Sequence, residues 1–170
     1  LPVALGILCI HVARAWGSVI DGTAFPSHFL LRLIEGDEFL YLDPFDSLRV
    51  MDDAAVQALF VQMHGSAARF DQAYLQPVSD RAVLLRLQNN IKLRAYQAGE
   101  IKRALQVAER MVMLAPALGE LRLNVAGLLA EAGMIRSAMT TLEAVSNDSG
   151  HERLHAEAQK RLLSLRSRLN

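Results

Sequence analysis

IKLRAYQAGEIKRALQVAERMVMLAP (residues 91–116) and VAGLLAEAGMIRSAMTTLEAVSNDSG (residues 125–150) align with each other 34 positions apart. Ala98-Gly99 recurs as Ala132-Gly133, Ile101 as Ile135, Ala104 as Ala138 and Glu109 as Glu143, and Lys102 is answered by Arg136. Each matched position has a mechanical task. The glycine supplies the left-handed backbone that ends a first helix. The alanine lets a second helix approach the first closely, and Pro116 stops that second helix before the next unit begins.

A helix-turn-helix unit repeating every 34 residues carries the tetratricopeptide signature. The pattern departs from it in two places: the aromatic near the start of the first helix is missing, and Gly150 stands where the first copy has Pro116. The spacing predicts helices over about 80–98, 100–114, 118–132, 134–146 and 152–168. Such units bury their apolar stripes by stacking. The last helix, with Leu154, Ala158, Leu162, Leu165 and Leu169 on one side, is expected to cap the array.

The 170 residues are 52% apolar and 21% charged, a composition that builds a packed core. The formal charge is zero but unevenly placed: residues 1–53 carry Arg14, Arg32 and Arg49 against eight acidic side chains, and the remainder is basic. The division suggests two modules, and no basic run is dense enough for nucleic acid. Cys9 is the only cysteine, which excludes an internal disulfide and suits a reducing, cytoplasmic setting. The apolar opening Leu1–Ile10 is too short to span a bilayer. An apolar helix as first element is expected to have a partner ahead of it in the chain.

Residues 3–16 read as that helix, closed by Gly17. Strands are expected at Ser18–Ile20, His28–Ile34 and Glu38–Asp43, the last two joined at Glu35-Gly36-Asp37. Folding about that turn sets His28 near Asp43, Leu30 near Tyr41 and Arg32 near Phe39. Phe29, Leu31 and Leu33 against Leu40 and Leu42 make an apolar face for the first helix, and the mixed face is where chemistry is expected. Asp52–His64 reads as a short amphipathic helix, and residues 66–79, with Pro77, as a linker.

Leu1-Pro2-Val3-Ala4-Leu5, Val12-Ala13-Arg14-Ala15-Trp16-Gly17, Phe25-Pro26-Ser27-His28-Phe29-Leu30 and Leu42-Asp43-Pro44-Phe45, together with the helical repeats after them, resemble the bacterial SirB-type family. That family joins a transglutaminase-like (papain-like) domain to tetratricopeptide repeats, and its members carry a further amino-terminal helical segment. The resemblance implies a cysteine opening a helix, a histidine opening a strand and an aspartate ending the next. His28 and Asp43 match the second and third. Counting back from Gly17 puts Pro2 at the nucleophile position, and proline offers none. Cys9 lies seven residues further along the helix, about 10 Å at 1.5 Å per residue, without the activation of a helix N-terminus. A histidine–carboxylate pair without a nucleophile cannot carry out acyl transfer. The dyad is therefore read as a remnant that is structural or binds a ligand.

His151-Glu152-Arg153-Leu154-His155 matches the H-E-x-x-H pattern, but a zinc site needs a third protein ligand, and Glu157 is turned away from His155 on the helix. The match is read as accidental. His11 and His64 stand alone on helices and are read as solvated or internally bonded. Asn89-Asn90 resembles a family feature with a hydrogen-bonding role.

These residues predict an α+β chain: a partial transglutaminase-like domain over 1–65, a linker over 66–79 and an all-α repeat array over 80–170. The function expected is a non-enzymatic scaffold for a protein or peptide partner, regulatory in bacteria, with no cofactor, metal, nucleic acid or membrane. The alternative is a residual hydrolase or transferase using His28 and Asp43. Arg32, Tyr41, Asn89 and Asn90 are the candidate binding residues.

Overall fold

Helix α1 (Pro2–Ala15) is apolar on almost every side and ends at Gly17, whose φ of 88° is the left-handed value expected of a glycine cap. The computed structural model describes residues 2–36, 38–148 and 152–167. Among these residues, five strands form an antiparallel sheet ordered β4-β3-β2-β1-β5: β1 Val19–Thr23, β2 Leu31–Glu35, β3 Glu38–Asp43, β4 Arg49–Met51 and β5 Pro77–Val78. Strand β3 has its expected limits, whereas β1 starts and ends later than expected, and β4 and β5 are additional.

The β2–β3 register differs from expectation by two residues: Arg32 pairs with Tyr41 and Leu31 with Leu42. The closing pair is Glu35 with Glu38, so the turn is centred one residue later than the expected register requires, and Gly36 takes a φ of 62°. A slip of two preserves the side-chain faces. Leu31, Leu33 and Leu42 accordingly still face α1. Gly6 of α1 leaves room for the Phe29 ring and Leu31, and a Cβ at that position would overlap the ring. The opposite face is not an open mixed surface. Leu30 and Met51 pack there with Phe25, Val56, Phe60 and Leu75, and Tyr41 joins them at the edge. Val56 and Phe60 come from α2 (Asp53–His64), whose N-cap Asp52 accepts from the Ala55 N–H at 2.8 Å. The sheet thus carries apolar side chains on both faces.

Residues 66–79 do more than link. A 3₁₀ turn (Gln72–Leu75) puts Leu75 into this core, and β5 pairs with β1 through Gly22–Val78 and Thr23–Pro77. By packing, the chain divides into residues 1–84 and 85–170, a boundary inside α3 (Asp80–Gln97).

The second unit continues with α4 (Ile101–Leu114), α5 (Gly119–Glu131), α6 (Ile135–Asn147) and α7 (Glu152–Ser167). Gly99 and Gly133 have matching φ values of 74° and 78°, and Ala104 and Ala138 are completely buried. Leu123, Leu129, Leu142, Ala158, Leu162 and Leu165 complete this core. Gly150 and Leu169, also cited for the helical pattern, lie outside the described residues. The architecture is α+β: a five-stranded antiparallel sheet with helices, then a helical region.

Candidate functional site

Asp43 ends β3, and the two residues after it fix its carboxylate. Pro44 has no N–H, so the first backbone donor within reach is Phe45, whose N–H gives Asp43 Oδ1 a 2.8 Å hydrogen bond. His28 Nε2 lies 3.0 Å from each carboxylate oxygen. A carboxylate only accepts, so the imidazole donates through Nε2–H. The pair is largely withdrawn from water, with 12% of the His28 side chain and 7% of that of Asp43 exposed. The Phe45 ring lies against the imidazole, centroids 5.4 Å apart.

His28 precedes β2 instead of opening it, so its meeting with Asp43 does not depend on strand register. The chain kinks at Ser27 (φ 61°), where the His28 N–H reaches back to the Pro26 carbonyl at 2.7 Å. That kink, not the cross-strand ladder, aims the imidazole.

The remaining candidates are dispersed. Arg32 and Tyr41 face each other across β2 and β3, on the sheet face of Asp43 by strand alternation. The Arg32 guanidinium lies 4.6 Å over the Phe39 ring, and its Nε is buried with no hydrogen-bond partner among the described residues. Asn89 and Asn90 are half-buried in the part of α3 that belongs to the second unit, so the unit containing His28 and Asp43 does not include them. Cys9 is half-buried in an apolar cleft walled by Leu8, Val12, Trp16, Leu33 and Leu42. Leu42 precedes Asp43 on the strand, and adjacent side chains point to opposite faces, so the thiol and the carboxylate lie on different sides of the sheet.

The H-E-x-x-H segment falls partly outside the described residues, since His151 is not among them. His155 is occupied at α7: its Nδ1 lies 2.6 Å from the Ser146 carbonyl. Among the described residues, no group of three His, Cys, Asp or Glu side chains is placed to hold a metal ion. No described helix is long and apolar enough to cross a membrane.

Sequence reasoning misses two participants. Phe45 is legible in principle, because aspartate two residues before a backbone donor is a turn signal. The role of His64 is not: its Nε2 lies 3.1 Å from Ser27 Oγ, a contact across 37 residues made by folding alone.

A largely buried histidine is thus clamped by an aspartate at the end of β3, beside a sheet packed against an apolar helix. Residues 1–89 match the transglutaminase-like superfamily. This chain belongs to that superfamily. It is 33% identical over 118 residues to a UPF0162 protein of Xylella fastidiosa strain Temecula1, covering 68% of this chain and 42% of that one. A UPF0162 protein of Pseudomonas aeruginosa is 30% identical over 115 residues, with the same coverage. The human F-box only protein 21 is 38% identical over 50 residues, 29% of this chain and 8% of that protein. The chain thus spans about 42% of the length of these two UPF0162 proteins. No solved structure matches it. The transglutaminase-like superfamily membership rests on the first unit and the start of α3.

Proposed function

We propose that this chain is a SirB-type interaction scaffold: a transglutaminase-like unit that does no thiol-based acyl transfer, followed by tetratricopeptide-type repeats that bind a protein partner. In this reading it works in the bacterial cytoplasm in a regulatory role. The observation that carries it is the residue at the head of α1. The family resemblance implies a nucleophile at that position, and the chain has Pro2 there. In this reading His28 and Asp43 have no thiol at that position to activate, and their hydrogen bonds tie the segment before β2 to the end of β3.

The second unit supports the binding half of the proposal. Alternate helices α3, α5 and α7 line one groove, with Lys92, Tyr96, Asn124, Gly127 and Arg161 along it. Gly127 keeps its floor low: the nearest atom to a Cβ there would be Arg161 Nη1 at 4.0 Å. Burial pushes the Lys92 ammonium pKa down, leaving a cation that gains from an acceptor on a ligand. A groove built by the first helix of each pair is what stacked repeats offer an extended or helical peptide.

Two measurements test the proposal. Incorporation of a fluorescent primary amine into a glutamine-bearing protein is expected to equal that of the Cys9→Ala variant, and thiol-dependent turnover by wild type would refute it. A peptide selected from a displayed library against the full chain is expected to lose binding in Gly127→Leu, which fills the groove without breaking α5. Retention of all selected peptides by that variant would place binding elsewhere. The preserved His28–Asp43 geometry also favours a second reading, a residual hydrolase. Activity abolished in His28→Ala at unchanged stability would select it.

A further inference from the structure

Ser27 and His64 form a second constellation that owes nothing to the missing thiol. Ser27 Oγ lies 3.1 Å from His64 Nε2, and His64 Nδ1 lies 3.2 Å from the Phe60 carbonyl. A carbonyl can only accept, so Nδ1 carries the proton and Nε2 presents its lone pair to the serine hydroxyl. The imidazole is held in that orientation by the Phe60 ring stacked 4.5 Å away at 23°. Nucleophile, base and orienting group are therefore in the order that hydroxyl-based acyl transfer requires.

The backbone at Ser27 adds an independent observation. Its φ of 61° and the 2.7 Å bond from the His28 N–H to the Pro26 carbonyl make it the centre of a strained three-residue turn. Glycine would adopt that conformation without strain, yet a serine occupies it. Strain of this kind accumulates where a side chain must be presented. Both Ser27 and His64 are exposed, so a substrate can reach the hydroxyl without rearrangement of the core.

We propose that Ser27 and His64 hydrolyse esters of small acyl groups. Ser27 Oγ attacks the ester carbonyl carbon as its proton passes to His64 Nε2. The tetrahedral intermediate collapses, the acyl–oxygen bond to the alcohol breaks, and the alcohol leaves with the proton from His64. Water, deprotonated by the same nitrogen, then attacks the acyl-serine, releasing the carboxylic acid and restoring Ser27. No oxidant, metal or cofactor is consumed. The site goes beyond the scaffold proposal, which concerns the thiol chemistry and the groove, and each can fail without the other.

The test uses the full chain with p-nitrophenyl acetate as probe. Wild type is expected to release p-nitrophenol above the buffer rate, with the Cys9→Ala variant unchanged. Ser27→Gly and His64→Gln are each expected to lose at least roughly tenfold of that rate, a conservative floor for general-base contributions. Ser27→Gly also relieves the strained turn, so its Tm should equal or exceed that of wild type, which separates lost chemistry from lost folding. An acetyl adduct on Ser27, located by mass spectrometry of rapidly quenched protein, is the accompanying signature. Hydrolysis at the buffer rate, or full activity in Ser27→Gly, would overturn the assignment.

Discussion

Asp43 is the residue whose environment says most about the site. Its carboxylate takes hydrogen bonds from the Phe45 N–H and from His28 while it is almost wholly buried. Removing the acceptor deprives a ring N–H and a backbone N–H of this partner, and each such loss in a buried setting destabilises by about 1–3 kcal/mol. Asp43→Ala should therefore lower stability by about 2–4 kcal/mol in urea denaturation. Asp43→Asn should cost about half as much, since an amide oxygen still accepts from Phe45 and the imidazole can change tautomer to accept from the amide nitrogen. Equal losses in the two variants would show that the carboxylate charge, not the hydrogen-bond pattern, holds the turn. The pairing of His28 with Asp43 is legible from sequence, but for an incomplete reason. Counting residues from the turn brings the two together in a register that is wrong by two. They meet because Ser27 bends the chain ahead of β2, and positive φ at a serine leaves no mark in a hydrophobic pattern.

Between elements, the contact of α1 with the sheet is set by what is absent from Gly6. A Cβ at this position would run into the buried Phe29 ring and touch Leu31, so Gly6→Ala is overpacked where neither partner can swing into solvent. A loss of about 1–3 kcal/mol is expected in thermal or urea unfolding, despite alanine being the better helix former. A neutral outcome would mean that α1 can lift from β2. The same helix is fastened at its far end by ions. Arg14 reaches Asp21 at 2.8 Å and Asp80 at 2.7 Å, and its hydrogen bond to Asp80 holds that carboxyl below its usual pKa of 3.8. A carboxyl with a depressed folded pKa contributes stability in full above its unfolded value, and loses that contribution as pH falls through the folded value. The difference in stability between wild type and Asp80→Asn should thus be constant above pH 3.8 and vanish progressively below it. It should be small, because Asp80 is well exposed to solvent. A difference that grew on acidification would contradict the pairing. Helix limits are legible to within one or two residues, because apolar spacing and glycine caps are local signals. Strands β4 and β5 are not, since three and two residues carry no readable alternation and their pairing is decided by the chain segments beside them.

At the scale of the whole molecule, the family resemblance implies acyl-transfer residues drawn from three distant places: the head of a helix, the turn before β2 and the last residue of β3. Two of the three hold the side chains that the resemblance implies, His28 and Asp43, and it is the resemblance that points to them. It does not point to the second pair, Ser27 and His64, because residues 37 apart with no shared motif are joined only by the packing of α2 under the sheet. The proposal that the first member is missing is open to test by substitution. Pro2→Cys introduces a thiol at the helix start, where the positive end of the backbone dipole favours thiolate. If the fold still brings the His28 imidazole to that point, the new thiol should react with iodoacetamide at neutral pH several-fold faster than Cys9. Adding His28→Ala should erase the advantage while leaving helix content unchanged by circular dichroism. A Pro2→Cys thiol no faster than Cys9, or one indifferent to His28, would mean that the nucleophile position lies elsewhere in the chain. The scaffold proposal would then lose the observation that carries it, whereas the ester-hydrolysing pair would be untouched.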